Sequence, residues 1–202
     1  MSCQFSSVRV TRSSKCDRHI GCRSEAGVRL GADTLPAPQR LDRYGRRRED
    51  RSPEEGLPAP DFTLTSDAGE RVTLSALRGR PVVLYFYPRD DTPGCTAQAC
   101  GIRDAWGEFE RAGAVVLGVS PDDEASHVKF KEKYDLPFPL LADTDHKVSE
   151  EYGAWGEKNL YGKTYMGVQR STFVIDADGN VAKVMRKVKP DTHADDVLAV
   201  LR

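Results

Sequence analysis

Two cysteines, Cys95 and Cys100, lie in the segment Pro88-Arg89-Asp90-Asp91-Thr92-Pro93-Gly94-Cys95-Thr96-Ala97-Gln98-Ala99-Cys100. Their types and spacing suit sulfur chemistry. Thr92 has the side chain of a helix N-cap and Pro93 suits the first helical position, so Cys95 falls third in a helix. In that turn the backbone N–H groups lack internal acceptors and the dipole is positive, which favours a thiolate over a thiol. The thiolate is the form that attacks an electrophile. Proline and glycine beside it let backbone N–H groups approach a ligand. The bland alternatives are a small buried apolar Cys95 and a small helix-face Cys100.

The spacing carries its own constraint. Five residues along a helix put two Cα atoms about 8–9 Å apart, whereas a disulfide needs them within about 7 Å. The pair either never bonds or bonds only after the first turns unwind. Gly94 and Gly101 ease unwinding, because an interior helical glycine costs about 1 kcal/mol relative to alanine. The reading is a switch, helical when reduced and locally unfolded when oxidised.

The other three cysteines stand in a different kind of sequence. Residues 1–55 hold eleven Arg and one Lys against eight acids, and residues 56–202 hold 18 bases against 23 acids, so a net charge of −1 joins a basic leader to an acidic domain. The leader has no lasting apolar period and is read as mostly disordered, since it cannot bury enough surface to offset its ordering entropy. A solvated tail is the plain reading. Met1 to Lys15 has no acid and is rich in Ser and Arg, as in an organelle transit peptide, but Asp17 and Glu25 break that pattern. There is no apolar stretch of a secretory signal. Cys16, His19 and Cys22 follow C-x2-H-x2-C, with Cys3 as a distant fourth thiol, yet the second close ligand pair of a structural zinc site is missing. No metal site is therefore expected. A near-zero total charge argues against a wholly basic nucleic-acid binder. The longest apolar run, Val82 to Tyr87, is far short of a membrane span. An odd five cysteines exclude a fully paired disulfide scaffold and suggest a reducing compartment.

The thiol segment needs elements to hold it, and the domain from 56 to 202 supplies them. Residues 61–65 and 71–74 alternate at period two around the turn Asp67-Ala68-Gly69, which predicts an N-terminal β-hairpin. Ser75 is read as the cap of a short helical turn ending at Gly79. Pro81 to Tyr87 reads as a buried central strand and Ala114 to Val119 as a second, joined by a helix over 93–111. Further helices are expected over 122–134, 147–152 and 191–201, with a hairpin of 171–176 and 181–187. The sum is an α/β fold with a mixed sheet flanked by helices. His127, His146 and His193 show no metal spacing and are placed at the surface. Lys129, Lys131 and Lys133 read as a solvated helix face around Phe130. Tyr152, Trp155, Tyr161 and Tyr165 lie in a Gly-rich stretch with no assigned element. No G-x-G-x-x-G or G-x-x-x-x-G-K occurs, so no nucleotide cofactor is expected.

Pro88-x-x-x-Thr92-x-x-Cys95 resembles the active-site motif of the peroxiredoxin family. The run from Tyr87 to Thr96 is similar to its bacterioferritin comigratory (peroxiredoxin Q) branch, and the strand from Arg170 to Asp176 also looks like that family. The similarity spans about Gly56 to Arg202 and leaves the leader out. The resemblance implies a thioredoxin-like fold and a thiol-dependent peroxidase acting on hydrogen peroxide and organic hydroperoxides. It implies Cys95 as the peroxidatic cysteine, oxidised to a sulfenic acid, and Cys100 as the resolving cysteine that closes an intramolecular disulfide. Thr92 would bond the peroxide, Pro88 would shield the pocket, and Arg170 would stabilise thiolate and transition state. Thioredoxin, or glutaredoxin, would be the reductant. An internal resolving cysteine suggests a monomer, and the compartment read is the cytoplasm, or a plastid if the leader is a transit peptide. Two rival functions are a redox-sensing or holdase module, and a thioredoxin-like disulfide exchanger, which C-x4-C in place of C-x-x-C disfavours.

Overall fold

All five residues of β3 (Val82–Phe86), and Tyr87 after it, are buried, with alternate side chains feeding opposite faces of one sheet. Burial of each such side chain contributes about 1.5–3 kcal/mol, more than the roughly 1 kcal/mol span of strand propensity, so this strand anchors the fold. The computed structural model describes residues 52–160 and 163–202. The leader readings, with Cys3, Cys16, His19 and Cys22, therefore lie outside the described residues, as does Tyr161. Glu55 is already tied to the domain: its carboxylate accepts from Val184 N–H at 3.1 Å and pairs with Lys183 at 3.0 Å.

The elements run β1 (Thr63–Ser66), β2 (Arg71–Thr73), a 3-10 turn (Leu74–Leu77), β3, α1 (Pro93–Asp104), α2 (Trp106–Arg111), β4 (Val115–Ser120), α3 (Glu124–Tyr134) and β5 (Leu140–Ala142). They continue through α4 (Lys147–Glu151), β6 (Trp155–Leu160), β7 (Lys163–Val168), β8 (Ser171–Ile175), β9 (Val181–Arg186) and α5 (His193–Leu201). The main sheet has the order β2-β1-β5-β4-β3-β8-β9, while β6 and β7 form a separate two-stranded ribbon. The pairs β3–β4 and β4–β5 are parallel; β3–β8, β8–β9, β1–β2 and β1–β5 are antiparallel. This is a central mixed sheet flanked by helices.

One register matters most. In the antiparallel β3–β8 pair, Phe86 faces Ser171, so the end of β3 lies beside the start of β8. That brings Arg170 to the mouth of the loop leading from Pro88 to α1. On one face Val82, Leu84 and Phe86 pack with Phe62, Tyr152 and Phe173; on the other, Val83, Tyr85 and Tyr87 pack with Cys95, Ile102, Phe130, Phe138 and Val197. The thiol belongs to the second face. There Tyr85 stands opposite Gly118 on β4, where an added Cβ would come within 2.8 Å of its hydroxyl and of Leu140 Cδ2.

Several expectations change. The helix over 93–111 is broken at Ala105 (φ −93°, ψ 9°), past which Trp106 lies against Phe138 and Phe109 is buried. The short turn is capped at Thr73 rather than Ser75, whose N–H donates to the Asp61 carboxylate at 2.9 Å. His127 and His193 are wholly buried, not at the surface, because each meets polar partners inside the protein. His146 is half-buried and stacks on Trp155 at 3.9 Å. Lys131 is part-buried and bonds Asp67 at 2.8 Å, while Lys129 and Lys133 stay exposed. Tyr152 is core, and Tyr165 is 47% exposed on β7.

Candidate active site

The loop from Pro88 to Thr92 descends from the end of β3 and is fastened to α3 by two aspartates. Asp90 is buried and its carboxylate accepts from Tyr87 Oη at 2.7 Å, Ser126 Oγ at 2.8 Å and His127 Nδ1 at 2.8 Å. Asp91 has a left-handed backbone (φ 52°) and binds Lys133 Nζ at 2.7 Å and Tyr134 Oη at 2.6 Å. The Lys133 cation, then the Tyr134 hydroxyl, holds the Asp91 carboxyl below the usual carboxylate range. This anchoring delivers the chain to Thr92, the N-cap of α1, with Pro93 at the first helical position.

Cys95 is then the third residue of α1 and 2% exposed. The Thr92 hydroxyl does not cap the helix; it donates to Arg89 O at 3.2 Å. The Gly94 and Cys95 N–H groups have no intrahelical acceptor, as helix geometry requires at those positions. Arg170 Nη2 donates to Cys95 Sγ at 3.5 Å. Glycine at 94 leaves room for this approach: a Cβ there would lie 3.2 Å from the same Nη2, which would have to give by a few tenths of an ångström. Cys100 is half-buried further along α1, and both cysteines are free thiols. The structure thus joins Cys95 to Arg170 directly, with Thr92 at the cap and Pro88, half-buried, at the loop entrance.

Other groups complete the site, among them His193, which the sequence reading placed at the surface. Arg170 Nη1 donates to Gln98 Oε1, Gln98 Nε2 meets His193 Nδ1 at 3.0 Å, and His193 Nε2 meets Thr172 Oγ1 at 2.8 Å. Burial, with the Arg170 cation adding to it, pushes His193 down to about 4. On β6, burial and then Arg170 hold Lys158 below its ordinary value, against a pull upward from Cys95. Burial, then the Cys95 charge, pushes the Tyr85 phenol well up. Gln98 was legible as the same-face neighbour three residues after Cys95; His193, 95 residues from Gln98, had no local signal. Among the described residues no group of three or more His, Cys, Asp or Glu is arranged to hold a metal. Nor is any described helix long and apolar enough to cross a membrane.

A family model described as the AhpC/TSA family matches residues 56–184. The chain belongs to the AhpC/TSA family. Within that family it is similar to the Bacillus subtilis protein named peroxiredoxin Bcp, 50% identical over 74% of this chain and 95% of that one. A protein of Oryza sativa subsp. indica named for peroxiredoxin Q and the chloroplast is 43% identical over 86% of this chain and 80% of its own length. Among solved structures, the bacterioferritin comigratory protein of Xanthomonas campestris, studied for alkyl peroxide reduction, superposes with a TM-score of 0.69. It is 41% identical over 73% of this chain and 97% of that one. The fold is thioredoxin-like, as in these family members. The activity is that of a thiol-dependent peroxidase, with a peroxide as substrate and a thiol as reductant.

Proposed function

We propose that Cys95 is the peroxidatic thiol, that Cys100 resolves it, and that thioredoxin returns the pair to the reduced state. The observation that carries this reading is the Arg170 guanidinium 3.5 Å from Cys95 Sγ, at the first turn of a helix whose N–H groups are free. The Cys95 thiolate attacks the terminal oxygen of a hydroperoxide. An S–O bond forms, the O–O bond breaks, and the departing alkoxide or hydroxide takes up a proton. Arg170 is a permanent cation beside the charge that moves from sulfur to leaving oxygen, and the Gly94 and Cys95 N–H groups are fixed donors on the same side. The Thr92 hydroxyl spends its proton on Arg89 O and so offers lone pairs to the peroxide O–H. Pro88 adds an apolar wall with no N–H to compete.

The resulting sulfenic acid then condenses with the Cys100 thiol, forming S–S and releasing water. Both residues lie in α1, so its first turns must open for this step. Thioredoxin dithiol exchanges with the disulfide and leaves oxidised. An internal pair needs no second subunit, so the protein works as a monomer. The catalytic unit is the domain from 56 to 202, acting in the cytoplasm, with a plastid as the alternative if the leader targets one. The test is NADPH consumption coupled through thioredoxin reductase and thioredoxin, with hydrogen peroxide and an alkyl hydroperoxide. Cys95→Ser should abolish turnover, and Cys100→Ser should allow one stoichiometric oxidation and then stall. Turnover by Cys95→Ser, or a Cys95–Cys16 or Cys95–Cys22 disulfide in mapped peptides, would overturn the assignment.

A further inference from the structure

When a thiolate takes the terminal OH of a hydroperoxide, the other oxygen departs as alkoxide or hydroxide, a strong base that a nearby acid helps to leave. The groups around Cys95 differ in their ability to supply that proton. Arg170 cannot release one. The Thr92 hydroxyl is a weak acid already committed to Arg89 O. His193 is wholly buried and held neutral, and the Tyr85 phenol is buried and pushed well up. Both are cut off from the water that would recharge them. Lys158 is half-buried, so its ammonium keeps access to solvent.

The β6–β7 ribbon lays Lys158 towards Arg170. In its register Lys158 stands opposite Tyr165 and Gly156 opposite Gly167, all four on one face because residues two apart share a side. The glycine pair opens a notch in that face. A Cβ on Gly167 would lie 3.5 Å from Lys158 Cδ, and one on Gly156 would lie 2.7 Å from Gln169 Nε2. The Lys158 stem therefore leans past Tyr165 and across Gly167, in the direction in which β7 runs on to Arg170. Glu157 is exposed on the opposite side of the ribbon. Among the described residues the charges that act on the ammonium are Arg170 and Cys95. Burial and then Arg170 loosen its proton, against the pull of Cys95, and a loosened proton is the more readily given.

We infer that Lys158 is a catalytic residue, the acid that protonates the departing oxygen. As S–O forms and O–O breaks, one N–H bond of the ammonium breaks and its proton passes to the leaving oxygen, giving alcohol or water. The bonding pair stays on nitrogen, and the neutral amine regains a proton from solvent. The inference rests on Cys95 as the attacking thiol, as proposed above.

The experiment varies the leaving group. The full reduced chain is mixed rapidly at neutral pH with tert-butyl hydroperoxide or with peracetic acid, and oxidation of Cys95 is timed. The alkoxide of the first must be protonated, whereas the acetate of the second departs as a stable anion. Lys158→Met keeps the stem over Gly167 and removes the acid. It should slow oxidation by tert-butyl hydroperoxide about a hundredfold, and oxidation by peracetic acid by no more than about threefold. Lys158→Arg keeps a cation that cannot release its proton, so it should stay about as slow as Lys158→Met with the alkyl hydroperoxide. Equal slowing with both oxidants would make the role merely electrostatic or structural and overturn the inference. Unchanged rates, or wild-type speed in Lys158→Arg, would overturn it too. If Cys95→Ser itself retains turnover, the underlying assignment fails instead.

Discussion

At the scale of single residues, the decisive contact divides one guanidinium between two tasks. Arg170 gives Nη2 to Cys95 and Nη1 to Gln98, so the fork and not only the charge is in use. Arg170→Met should slow oxidation of Cys95 by about a hundredfold in stopped-flow, the usual loss for a fixed donor at a developing charge. Arg170→Lys should recover little of this, because a single ammonium cannot hold both partners. Tyr85 is a different case. Its hydroxyl is buried without a hydrogen-bond partner, and an orphaned buried hydroxyl costs about 1–3 kcal/mol. Tyr85→Phe should therefore raise the urea midpoint, and an unchanged or lowered midpoint would show that the hydroxyl is satisfied. The positions of Thr92 at the N-cap and Cys95 third in the helix were legible because the helix start is a local signal, although the Thr92 hydroxyl turns to Arg89 O rather than capping. The Arg170 contact was legible only through resemblance, since 75 residues separate it from Cys95.

At the scale of elements, the loop before α1 is held more firmly than its length suggests. Asp90 ties three partners on β3's continuation and α3 to one carboxylate. Asp90→Ala would strand Tyr87 Oη and His127 Nδ1 in the interior, alongside His127 Nε2, which already has no partner. The expected cost is about 3–5 kcal/mol, read as a fall in Tm; Asp90→Asn should lose less, since the amide oxygen still accepts. A continuous apolar run made β3 readable, and apolar spacing with turn signals made α1, α3 and the β8–β9 hairpin readable, though not the break at Ala105. The ribbon of β6 and β7 was not, because its glycines and lysines show no alternation and its stability comes from pairing across Trp155–Val168 and Lys158–Tyr165. β5 has only three residues, too few to display a period. The burial of His127 and His193 depends on which loop and helix meet them, which no local pattern encodes.

At the scale of the whole molecule, a neutral buried histidine makes stability depend on pH. His193 titrates near 6.5 when unfolded and is pushed down to about 4 in the fold. Its contribution is fully present above about pH 6.5 and is lost as pH falls towards and through 4. The gap corresponds to about 3 kcal/mol at most. Urea midpoints should decline between pH 7 and 4.5 in the wild type, and decline less in His193→Gln, which cannot charge. Equal declines would show that His193 is not the source of the acid sensitivity.

The antiparallel course of β8 also leaves the sheet with a quiet end. Since Ser171 lies beside Phe86 and Ile175 beside Val82, the turn from Asp176 to Asn180 emerges at the edge remote from Cys95. Asp178 there is exposed, and the turn closes on itself through the Asp176 carboxylate, which accepts from the Asp178 and Asn180 N–H groups at 3.0 and 2.8 Å. A fluorophore on a cysteine introduced at Asp178 should report on the protein without touching its chemistry, leaving coupled turnover within about twofold of wild type. The site end is committed to one geometry; the far end is open to a handle.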